Sequence, residues 1–109
     1  MKDKPLFGLK PRDHQTIIEI LGKYPEIQEV KLFGSRAKGN FKPGSDIDLS
    51  ITTDFDDDNL ALKLSVDFEE SSLPYNVDLV FYRSISNQAV KEHIDRVGVL
   101  IFSKNSPVY

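Results

Sequence analysis

The sequence predicts an α+β fold, a small mixed sheet of three to four strands with helices packed on one face. Three observations carry that prediction. Two segments, Asp46–Thr53 and Asn76–Tyr82, alternate apolar and polar residues, as half-buried strands do. Three others, around residues 13–23, 60–68 and 87–97, repeat apolar residues at helical spacing. Glycine and proline punctuate the joins, and no repeat, low-complexity segment or linker interrupts the pattern.

The elements follow in order. Residues 1–11 hold two prolines and a glycine and read as an extended entry segment. Ile17, Ile18, Ile20 and Leu21 form the stripe of a first helix, which Gly22 and Pro25 end. Val30, Leu32 and Phe33 make a short strand running into Gly34. Ser35–Ser45 is loop chemistry with a basic flavour: Gly39, Asn40, Pro43 and Gly44, with Arg36, Lys38 and Lys42 between them. Ser35–Lys38 has room for one helical turn. In the next strand Ile47, Leu49 and Ile51 share one face and Asp46, Asp48 and Ser50 the other. The acidic run Asp54–Asp58 precedes a helix carrying Leu60, Leu64 and Phe68, and Asp56, Asp57 or Asp58 reads as its N-terminal cap. Leu73-Pro74 breaks that helix. A strand with Val77, Leu79 and Phe81 on one face follows, then a helix at Asn87–Arg96, Gly98, and a last strand at Val99–Phe102.

With 109 residues the chain is expected to be a single domain with one core. It has 14 Lys and Arg against 17 Asp and Glu, net −3, which is no footprint for direct DNA binding. The absence of cysteine excludes disulfides, thiol catalysis and cysteine–zinc sites. No apolar run approaches a membrane span and no signal-peptide core opens the chain, so a cytoplasmic protein is expected. So small a chain leaves little material for a substrate domain, and an enzyme of this size needs a partner or mobile substrate to complete its site.

Asp46 and Asp48 stand two apart, which in a strand puts both carboxylates on one face. Their repulsion is relieved by a divalent cation, and hard oxygen ligands suit magnesium shared with substrate phosphates. Taken alone, Asp-x-Asp is equally what a solvated strand face carries. Gly34-Ser35 directly after a strand lets the backbone approach a phosphate and offers a hydroxyl, although Gly-Ser is also a common strand-to-turn junction. The spacing decides: Gly34-Ser35, ten residues, then Asp46-x-Asp48. Asp78, between Val77 and Leu79 on the neighbouring strand, is placed to be a third carboxylate.

This pattern resembles the Gly-Ser-x10-Asp-x-Asp signature of the polymerase β nucleotidyltransferase superfamily. Phe33-Gly34-Ser35-Arg36-Ala37-Lys38-Gly39, Ser45-Asp46-Ile47-Asp48-Leu49 and Leu73-Pro74-Tyr75-Asn76-Val77-Asp78-Leu79 are similar to its minimal branch, across about residues 13–103. Lys38 replaces an arginine often seen there, keeping the charge without the fork. The resemblance implies a polymerase β palm-like fold and catalytic Asp46, Asp48 and Asp78 holding two magnesium ions. It implies ATP on Gly34, Ser35, Arg36 and Lys38, with Arg36 near the leaving group. It further implies an antitoxin paired with a HEPN-domain toxin, moving AMP onto a toxin tyrosine, and a possible homo- or hetero-oligomer. Two other expectations stand beside this one: transfer to a small molecule, and a non-catalytic antitoxin that neutralises by binding. Tyr75 and Tyr82 flank Asp78 and fit either base stacking or packing. His14 and His93 are lone histidines, read as helix-surface residues.

Overall fold

The structure is a computed structural model, described here over residues 7–54 and 59–104. The expected caps Asp56, Asp57 and Asp58 lie outside the described residues. The order is α1 (Pro11–Leu21), β1 (Ile27–Phe33), α2 (Ser35–Lys38), β2 (Ile47–Thr53), α3 (Leu60–Glu69), β3 (Val77–Phe81), a 3-10 turn (Tyr82–Ser84), α4 (Gln88–Val97) and β4 (Val99–Ser103). The strands form one sheet in the order β3-β2-β1-β4. β1 is antiparallel to β2 and β4, while β2 and β3 run parallel, so the sheet is mixed. A parallel pair needs a crossover, and α3 supplies it.

The core is built by strand alternation. Val30 and Leu32 of β1 and Ile47, Leu49 and Ile51 of β2 are all buried against Ile17 and Leu21 of α1 and Leu60 and Leu64 of α3. α1 starts on Pro11, whose ring presets the first helical position, and the Lys10 amide donates to Asp13 Oδ2 at 3.3 Å. The hydroxyl of Tyr24 donates to Asp67 and Lys23 bonds the same carboxylate at 3.1 Å, tying the end of α1 to α3. That bond, with partial burial, pushes the Tyr24 phenol up to about 12.

α4 takes the other side of β1. Its His93 ring meets Phe33 edge-on at 6.1 Å, and the α4–β4 junction at Gly98 lies against the Lys31 side chain. Phe33 and Lys31 alternate with the core residues Leu32 and Val30, so this helix covers the opposite face near β1 and β4. The expected helices on one face are therefore α1 and α3, and α4 is an addition across the sheet. Asn87 caps α4, its Oδ1 accepting from the amides of Ala89 and Val90 at 2.9 and 3.3 Å. Among the described residues no helix is long and apolar enough to cross a membrane.

Candidate active site

The motif residues assemble at one end of the sheet. β1 ends on Phe33, which pairs with Asp48 on β2, and Asp48 pairs with Asp78 on β3. Three adjacent strands thus carry, in one row, the start of the Gly34-Ser35 turn, Asp48 and Asp78. β2 begins at Ile47, so Asp46 sits just before the strand rather than as its first residue. Its carboxylate still acts on Asp48 through space.

Gly34 has φ 77 and ψ −155, a conformation that side chains do not tolerate. The reason for glycine is visible on its other side. A Cβ built there would stand 2.2 Å from Asp48 Oδ2, so the turn and the carboxylate are in direct contact. Ser35 opens α2, a single turn closed by Lys38 N–H to the Gly34 carbonyl at 3.1 Å and capped by left-handed Gly39. Lys38 is exposed at the end of that turn.

Asp48 is half-buried, while Asp46 and Asp78 are exposed. Burial, then the charge of Asp78, then that of Asp46, and a hydrogen bond shared with Asp78 push the Asp48 carboxyl up from 3.8 to about 6. Asp48 therefore holds its proton more tightly than a free carboxylate does. Among the described residues no three acidic or histidine side chains close into a ready-made cage. The donor set is nevertheless hard, anionic and partly open. It fits an ion such as magnesium, which binds through one or two carboxylates and completes its shell with phosphate and water.

Arg36 lies elsewhere than the sequence suggests. Its side chain is 2% exposed. Nε and Nη2 donate to the Ser45 carbonyl at 3.2 and 2.8 Å, and Nη1 donates to the Phe7 carbonyl at 2.8 Å. The guanidinium lies 5.2 Å from the Phe41 ring and 4.6 Å from the Tyr75 ring. It thereby clasps the entry segment, the residue before Asp46 and the run leading to Asp78. To reach a leaving group it would have to abandon both carbonyls. Arg36→Met is expected to strand the two carbonyls and lower unfolding free energy by about 2–4 kcal/mol in urea titrations. Arg36→Lys should recover less than half of that, because the fork is lost.

The remaining sequence candidates have plain roles. Tyr75 stacks on Arg36. The Tyr82 hydroxyl donates to Asp95 Oδ1 at 2.8 Å beneath Lys91, which fixes it to α4. His14 packs beside Phe7, as His93 does beside Phe33. One feature had no motif to announce it, a cavity of about 300 Å³ beside Asp46 and Asp78, walled by α3.

Known proteins agree with this geometry. Residues 15–107 match the family model described as "Polymerase beta, Nucleotidyltransferase". The chain belongs to that family. It is 42% identical over 101 residues to the "Probable protein adenylyltransferase MntA" of Haemophilus influenzae, covering 92% of this chain and 88% of that one. Among solved structures it resembles a toxin–antitoxin crystal structure with AMP-PNP at TM-score 0.68 and 30% identity, covering 81% of this chain and 71% of that one. It also resembles a complex of tri-AMPylated Shewanella oneidensis HEPN toxin with MNT antitoxin, at TM-score 0.65 and 26% identity, covering 86% and 72%. This nucleotidyltransferase has the family's mixed four-stranded sheet, and the family generally uses ATP with a divalent metal.

Proposed function

We propose that this nucleotidyltransferase is a protein adenylyltransferase that moves AMP from ATP to a tyrosine hydroxyl of a HEPN-domain toxin, and so acts as its antitoxin in the cytoplasm. The observation that carries the reading is the row Phe33–Asp48–Asp78 across β1, β2 and β3, with the Gly34 turn that follows Phe33 in contact with Asp48. It sets a phosphate turn and a carboxylate pair close enough to serve one triphosphate. The relatives support the choice of nucleotide and partner: one is named an adenylyltransferase, and another is a complex with an AMPylated HEPN toxin.

In this reading Asp46, Asp48 and Asp78 would hold two magnesium ions, which when bound would neutralise the triphosphate and acidify the incoming hydroxyl. Gly34 keeps the backbone close enough for the Ser35 amide and hydroxyl to hold the β- and γ-phosphates. Lys38 is the exposed cation beside that turn and offsets charge on departing pyrophosphate. Arg36 fixes the two carboxylate-bearing segments from inside.

The test mixes the protein with magnesium, ATP labelled at the α-phosphate, and a co-encoded HEPN protein. Label should appear on a tyrosine of the HEPN protein and vanish in Asp46→Asn and Asp78→Asn. Unlabelled HEPN protein bound tightly without ATP would replace catalysis with neutralisation by binding.

A further inference from the structure

β2 begins at Ile47, and Asp46 just before it is paired with neither neighbouring strand. The ladder that fixes Asp48 therefore stops short of the first carboxylate of the site. What reaches it is Arg36, whose Nε and Nη2 donate to the carbonyl of Ser45, the residue next to Asp46. The Tyr75 ring lies 4.6 Å from the same guanidinium, and the next residue, Asn76, accepts the Ile47 amide at 2.9 Å. One buried cation thus registers both segments that lead into the carboxylates.

A guanidinium sets a position only if it is itself held. Nη1 is held by the Phe7 carbonyl at 2.8 Å, and the segment that supplies this carbonyl is tightly shaped. Phe7 and Gly8 have φ 58 and 75, two consecutive left-handed residues that turn the chain sharply. A phenylalanine keeps such a conformation only where its surroundings over-determine it. Here they do: its ring packs beside His14 and against the core, and the next residue but one, Leu9, is buried at 1% exposure. Gly8 passes Arg36 and Phe41 at contact distance. A Cβ there would stand 2.7 Å from the Phe41 ring and 2.9 Å from Arg36 Nη1. The ring can swing aside, but Nη1 cannot yield without giving up the Phe7 carbonyl.

We propose that the Phe7–Leu9 strap is a positioning element of the transfer site: by fixing Arg36 it sets where Ser45 places the Asp46 carboxylate, and so how tightly that carboxylate shares a divalent cation with Asp48. The proposal rests on the metal-binding role given to these carboxylates in the adenylyltransferase reading above. A strap that merely covered the core would add stability and nothing else, so the two roles have different signatures.

The test is Gly8→Ala, which pushes on Arg36 from the strap. In amide-resolved NMR of the metal-free 15N-labelled protein, Ser45, Asp46 and Asn76 should shift. In a magnesium titration with α,β-methylene-ATP, followed at the Asp48 amide, magnesium affinity should fall about fivefold or more, as when a partner of a metal ligand is lost. The kcat for adenylyl transfer should fall about tenfold or more, because Asp46 is displaced. Ile101→Ala, in the core on β4, is the control for stability alone. It should lower the thermal midpoint and keep magnesium affinity within about twofold. Leu9→Val loosens the strap at its buried end and should weaken magnesium binding about twofold or more. Unshifted Ser45 and Asp46 amides, or unchanged magnesium affinity, in Gly8→Ala would overturn the proposal. If Gly8→Ala does not fold, the same results in Leu9→Val decide. An equal loss of affinity in Ile101→Ala would overturn it too. No response of Asp46 or Asp48 in the unaltered protein to magnesium with the analogue would instead sink the metal role of the carboxylates, and with it the adenylyltransferase reading.

Discussion

Asp48→Asn is expected to abolish nucleotidyl transfer, by about 10³-fold or more, while making the metal-free protein more stable at neutral pH. The second half of that outcome separates an electrostatic site from a structural aspartate. The Asp48 carboxyl titrates near 6 in the fold against 3.8 ordinarily, because burial and the charges of Asp78 and Asp46 oppose its ionisation. A raised acid binds its proton more tightly when folded. Stability is thus highest below the ordinary value, is lost as pH climbs from 3.8 toward 6, and stays low above it. The whole shift corresponds to about 3 kcal/mol, and partial exposure of the group reduces this to about 1–2 kcal/mol. For a domain of this size that is about 4–15 °C in thermal midpoint. Scanning fluorimetry without metal should show the wild-type midpoint falling between about pH 4 and pH 6.5, with the Asp48→Asn curve much flatter. Magnesium should raise the wild-type midpoint at the higher pH and leave the variant unmoved. A wild-type-to-variant gap that is the same at both pH values would remove the electrostatic account of this site.

The parts of the molecule that depend on local pattern were legible in the sequence, and those that depend on distant convergence were not. β2 and β3 announce themselves by strict alternation, and the Asp46-x-Asp48 spacing fixes which side chains share a face. β1 was legible only from Val30. Its true start at Ile27 is hidden by polar Gln28 and Glu29, next to a register irregularity with β2. The stripe on α4 says that the helix buries a face, not which side of the sheet receives it. That is decided by Phe33 and Lys31 on β1. Arg36 is the sharpest case. A cation beside a phosphate turn reads as a ligand contact, yet two carbonyls and two rings from three separate segments meet around it. Nothing at position 36 signals that meeting. The cavity beside Asp46 and Asp78 is equally silent, because Ser65 and Phe68 belong to a helix read only for its apolar stripe.

Gly34→Ala should be nearly as damaging as loss of a carboxylate, and Gly39→Ala shows why. Both glycines have positive φ, 77 and 88, so alanine is strained at either, at a cost of about 1–3 kcal/mol. They differ in what a Cβ would meet. At Gly39 there is nothing within 4 Å, whereas at Gly34 Asp48 Oδ2 lies 2.2 Å away. Alanine at position 34 must displace either the turn or the carboxylate, and a shift of about 1 Å in a catalytic group costs about 10²-fold in rate. Gly34→Ala is therefore expected to lose at least that much transfer activity. Gly39→Ala should lose stability by about 1 kcal/mol and keep activity within about threefold, since its strain is not aimed at the site. Removing the obstacle tests the cause. Asp48→Ala in the Gly34→Ala background should restore part of the lost stability, a coupling of about 1–2 kcal/mol in a double-mutant cycle read by urea unfolding. Strictly additive losses would mean that φ strain alone accounts for Gly34. The contact between turn and carboxylate would then no longer explain why a glycine stands there.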